Sequence, residues 1–177
     1  MKKAGILICL IILFIIIYLL QANFFAWFNL AGVKPNLFIV LVLIIGLFAG
    51  SKIGIAFGIF FGIVLDFFIS KNIGISAIML GIIGLVGGYL DRSFSKDSRI
   101  TMIMMVVIST FLYEVGIIIF NYFINETLIN IWYLLKTLVI ELIYNSIITI
   151  IIYPLIMKFG YMIEENLKEN KILTRYF

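Results

Sequence analysis

Three acidic side chains lie inside long apolar runs, Asp66, Glu114 and Glu141, accompanied by the amides Asn121 and Asn145. A carboxylate is costly in hydrocarbon, so such a group faces a bundle interior, a wet cavity or a partner. Glu141 and Asn145 are four residues apart and share a helix face. Asn121 stands seven residues beyond Glu114, on its face. At a rise of about 1.5 Å per residue, Asp66 is roughly 6 Å from the end of its helix, Glu141 roughly 10 Å and Glu114 roughly 15 Å. Paired carboxylates exchange protons as acid and base when they meet in a wet site. Other catalytic constellations need residues this chain lacks. It has no His, and its one cysteine, Cys9, sits in the first apolar run. Ser-His, Cys-His, zinc and iron–sulfur chemistry are therefore not expected, nor is a cofactor or an internal disulfide. The acids and amides predict a polar seam between the fifth and sixth helices, with Asp66 joining from the third. Its role is either to fix helix register or to meet a partner or ligand. Lys71 and Lys136 are the nearest cations, expected beside Asp66 and Glu141.

The elements that carry these groups follow from composition. Of 177 residues, 64% are hydrophobic and 12% charged, whereas a soluble domain carries about a quarter charged residues. A spanning helix needs about 20 apolar residues. That length predicts an all-α integral membrane protein, with six transmembrane helices in one compact bundle at about 4–20, 35–50, 53–70, 73–90, 100–124 and 134–158. Residues 159–177 are expected to form an amphipathic cytoplasmic tail, with Phe159, Met162, Ile163 and Leu167 on one face. The first run is long enough to span and is followed by no small-residue cleavage site, so it is taken as an uncleaved helix. The aromatic connection Asn23 to Lys34 is expected at headgroup level. Ser51-Lys52 makes a very short link, which forces helices two and three to be antiparallel neighbours.

Basic residues fall on alternate connections. Lys2, Lys3, Lys52, Arg92, Lys96, Arg99, Lys158, Lys168, Lys171 and Arg175 lie on one side, and only Lys34, Lys71 and Lys136 on the other. The positive-inside rule then predicts both termini in the cytoplasm and the chain in an inner membrane as a multi-pass protein. The net charge of +4 suits an anionic lipid leaflet rather than nucleic acid.

Gly54, Gly58 and Gly62 recur every four residues, and the next step is Asp66. A stripe without side chains lets a second backbone approach. It serves either the fourth helix, whose small face is Gly74, Ala77, Gly81, Gly84 and Gly88, or a partner's helix in a groove. The latter is the expected partner-packing face. Pro35 and Asn36 are expected to open helix two, where proline suits the first turn. Pro154 is expected to kink helix six.

Pro35-Asn36-Leu37, the ladder Gly54-x3-Gly58-x3-Gly62 running into Asp66, the Gly-rich helix after Gly74, and Glu141-x2-Tyr144-Asn145 followed by Tyr153-Pro154 together resemble the bacterial rod shape-determining MreD family. The resemblance covers nearly the whole chain. It implies a non-enzymatic scaffold of the cell-elongation complex, linking MreC and the MreB filament to peptidoglycan synthesis by the polymerase RodA and its partner transpeptidase. It also implies a likeness to the substrate-binding membrane subunits of energy-coupling-factor (vitamin) transporters. The alternative function is accordingly a small-molecule transporter subunit with a ligand cavity lined by the same polar groups.

Overall fold

The computed structural model describes residues 3–69, 73–91, 98–125 and 131–167. Lys2, Lys71, the hydrophilic loop at 92–97, the link at 126–130 and the tail from 168 lie outside these residues.

A run of 13 residues, LFIVLVLIIGLFA, offers no polar stripe to direct it toward water or lipid, and the chain places it at the centre. This helix, α2 (Leu37–Ala49), is buried at every position. A helix that is hydrophobic all round belongs inside. Around it stand α1 (Lys3–Leu19), α3 (Ser51–Ile69), α4 (Ile75–Leu90), α5 (Arg99–Asn125) and α6 (Ile131–Leu167). The expected six helices are present, and the described residues contain no named strand.

Their lengths differ more than the apolar runs suggest. Four segments are long and apolar enough to cross a membrane: Ala4–Trp27, Ser51–Phe68, Arg99–Ile124 and Leu134–Leu167. The 13 residues of α2 and 16 of α4 reach only about 20 and 24 Å, short of a hydrocarbon core of about 30 Å. Both begin against side chains of neighbouring helices, Asn145 for α2 and Asp66 for α4, and the polar groups gather there.

Helix α1 touches the bundle by one stripe, Ile6, Leu10 and Phe14, whose ring stacks on Phe61 at 4.5 Å. Beyond Leu19 it continues through a π-helical turn, Leu20–Phe24, and a last turn, Phe25–Trp27. The chain then reverses in a tight hairpin. Leu30 and Val33 exchange backbone hydrogen bonds of 3.0 and 2.9 Å across Ala31 and Gly32, both at positive φ. Two left-handed residues in succession suit a reversal of this tightness. Trp27 and Phe28 are exposed, as expected of rings at headgroup level.

Three boundaries differ from expectation. Pro35 is buried in the approach to α2, which starts only at Leu37. The link between α2 and α3 is Gly50 alone, at φ +92°, and Ser51 and Lys52 already belong to α3. Gly50 closes α2 by donating to the Gly46 carbonyl at 2.9 Å, then accepts from Gly54 N–H at 2.9 Å. Finally, α6 begins at Ile131 and runs without interruption past an exposed Pro154 to Leu167. Residues 159–167 are therefore the end of a core helix rather than a free tail. Ile163 and Leu167 are buried, and Gly160 lies against the Phe48 ring.

The outer surface is apolar. Ile8, Ile12 and Ile15 of α1, Phe60 and Ile63 of α3, and Ile147 and Ile151 of α6 all point outward. Lipid supplies the solvent such a surface needs.

Candidate functional site

The glycine ladder is taken up within the chain. A Cβ at Gly58 would run into the Leu80 carbonyl, one at Gly62 into the Ala77 backbone, and one at Gly54 would come within 2.5 Å of the Gly84 carbonyl and 2.6 Å of Gly46 Cα. Gly46, Gly54 and Gly84 thus bring α2, α3 and α4 to a common point of backbone contact. Of the two uses expected for Gly54, Gly58 and Gly62, packing against the fourth helix is the one this contact displays. The reason is steric, since α4 already occupies the face. On the outward side of the same pair runs an apolar groove of about 310 Å³, lined by Ile55, Ile59, Ala77, Ile78, Gly81, Ile82 and Leu85.

Asp66 closes the α3–α4 hairpin. It is fully buried, and its Oδ2 accepts the backbone N–H groups of Gly74 at 2.7 Å, Ser76 at 3.1 Å and Ala77 at 3.4 Å. The first N–H groups of a helix have no partner within it, and a negative charge there is favoured by the helix dipole. Gly74, at φ +107°, makes the turn that aims these donors back at Asp66. The carboxylate is therefore a cap for α4. Its expected partner Lys71 lies outside the described residues.

Glu114, Glu141 and Asn145 meet between α5 and α6. Asn145 of α6 is fully buried and serves three elements. Its Oδ1 accepts the Asn36 backbone N–H at 2.9 Å, at the start of α2, and its Nδ2 donates to Thr110 Oγ1 of α5 at 3.0 Å. It also contacts the Glu141 carboxyl one turn earlier. Glu141, 4% exposed, makes a side-chain hydrogen-bonding contact with Glu114 of α5. Lys136 is exposed, and Glu141 turns to Glu114 and Asn145 instead of to it. Asn121 is half-buried two turns further along α5.

Several members of this cluster are not singled out by the sequence. Tyr113 is buried beside Glu114, and its hydroxyl is hydrogen-bonded with the side chains of Ser76 and Asn36. It thereby joins the starts of both short helices to α5. Thr110 and Ser76 are lone hydroxyls in apolar runs, which normally bond their own helix, so they carry little signal. Gln21, in the π-helical turn, donates from Nε2 to the Pro35 carbonyl at 2.8 Å. The Tyr144 hydroxyl donates to the Phe28 carbonyl. Together Gln21, Tyr144 and Asn145 strap the segment between α1 and α2 onto the bundle. Pro35 is thus positioned by its backbone carbonyl, and Asn36 by its backbone N–H and its side chain.

Among the described residues, three buried polar atoms have no hydrogen-bond partner: Gln21 Oε1, Ser109 Oγ and Glu141 Oε1. No group of three potential metal ligands occurs among the described residues. The arrangement consists of carboxyl, amide and hydroxyl groups that hold two short helices against α5 and α6.

A family model described as rod shape-determining protein MreD matches residues 1–163 of the chain. No curated protein matches it. No solved structure matches it either.

Proposed function

The chain belongs to the rod shape-determining MreD family, and from that premise we propose that it is an inner-membrane scaffold of the cell-elongation complex. In this reading it links MreC and the MreB filament to peptidoglycan synthesis by RodA and its partner transpeptidase. Both termini lie in the cytoplasm, following the distribution of Lys and Arg.

The observation that carries the scaffold role is the direction of the polar groups. Asp66, Tyr113, Glu141 and Asn145 turn inward and serve helix starts and neighbouring helices. The centre of the bundle is filled by α2, buried at all its residues. What remains for partners is the outward surface, where packing decides association in lipid. The α3–α4 groove and the exposed face of α1 are the apolar seats offered there.

The test is photo-crosslinking in living rod-shaped cells from Ile8, Ile12, Ile59 and Ile82. MreC is expected to be captured from at least one of these faces, and depletion of the chain is expected to round the cells. Cells that stay rod-shaped on depletion, with no capture of MreC from any position, would overturn the proposal.

A further inference from the structure

We infer that Glu114 and Glu141 form a proton-binding site within the membrane, holding a shared proton whose release drives the facing halves of α5 and α6 apart. The inference rests on contacts, not on the count of acidic residues. The two carboxyls are in hydrogen-bonding contact across the helix pair, and a bond between two carboxyl groups needs a proton between them. Two ionised carboxylates in contact repel, and hydrocarbon offers nothing to screen them. The second Glu141 oxygen, Oε1, is buried and has no partner. An acceptor left open in this way is where a proton or a water molecule is taken up.

Among the described residues, the surroundings bring no compensating cation. Helix α2 carries no titratable side chain and α4 none but Tyr89, at its far end. Helix α5 contributes Tyr113, engaged with Ser76 and Asn36. Helix α6 contributes Lys136, which is exposed, and Tyr144, engaged with Phe28. From α1, Tyr18 lies beside Phe68 instead. When the proton leaves, the carboxyl O–H bond breaks, the electron pair stays on the glutamate, and water carries the proton away. The added negative charge then has to be hydrated, and Glu114, which is only partly buried, is the carboxyl that water reaches first. Asn145 joins Glu141 to the Asn36 N–H, so the opening is transmitted to the strap in front of α2.

The full chain in lipid nanodiscs provides the test. Infrared difference spectra should show a protonated carboxyl C=O band that vanishes as pH is raised and shifts when glutamate is labelled with carbon-13. Spin labels at Ile119 and Val139, in a Cys9→Ala background, should move apart over the same pH range. The Glu114→Gln, Glu141→Gln double variant should lose both the band and the movement. A spectrum without a titrating carboxyl band, or a band untouched by the glutamate label, would overturn the inference. So would a band that persists in the double variant, or helices that stay fixed while the band titrates. The isotope label assigns the band without substitution, so the wild-type titration decides even where the variant fails to fold. Each outcome stands apart from MreC capture, so the scaffold role and the proton site fail separately.

Discussion

At the scale of single residues, buried acids and amides in this chain act on backbone groups as much as on one another. Asp66 accepts three N–H groups at the start of a helix that begins nine residues later. Asp66→Ala should leave those donors unsatisfied and destabilise the fold by about 1–3 kcal/mol. Asp66→Asn, which keeps an acceptor without the charge, should lose less. Thermal unfolding in detergent reads both, and equal midpoints for wild type and Asp66→Ala would refute the capping role. Asn145→Ala removes the acceptor of the Asn36 N–H and the donor to Thr110 together, and a loss of about 1–3 kcal/mol is again expected. The presence of these residues in apolar runs is visible in the sequence, because polarity there is costly. Their partners are not. Helical spacing joins Glu141 to Asn145, but nothing local says that Asp66 turns to its own hairpin, or that Tyr113 reaches Ser76 and Asn36.

Among the elements, α3 and α4 pack through their backbones, and the positions that allow this are unequal. A Cβ at Gly58 meets the Leu80 carbonyl and the Gly81 nitrogen, whereas one at Gly81 meets only the flexible Ile59 side chain at 3.0 Å. Gly58→Ala should therefore cost about 1–3 kcal/mol through overpacking, and Gly58→Leu should prevent a folded protein from accumulating. Gly81→Ala should be nearly silent. Size-exclusion profiles and unfolding midpoints of the three variants test this order, and Gly58→Leu protein as well folded as wild type would contradict it. The ladder is legible in the sequence, but its occupant is not, because a four-residue glycine repeat specifies close approach without saying whose backbone approaches. Element lengths show the same divide. The end of α6 reads as amphipathic from Phe159 onward, and only the fold reveals that Phe48 and the core lie against that face. Truncation after Met157 should cost about 1.5–3 kcal/mol for each of Ile163 and Leu167. A truncated chain with an unchanged unfolding midpoint would show that this end adds nothing.

For the molecule as a whole, hydropathy gives the six helices, because it is a global property that short-range detail does not disturb, and charge placement gives the expected direction of threading. Reporter fusions at Phe177 should be active in the cytoplasm, and activity outside the cell would reverse the orientation. What composition does not disclose is that the six are unequal, with α2 enclosed and too short to cross alone. That feature bears on biogenesis. A stretch of 13 residues reaching about 20 Å is a poor stop for a translocating chain, and the single residue Gly50 ties it to α3. The insertion machinery therefore has to deliver the two as a pair, with the earlier member sheltered until its later neighbours are synthesised.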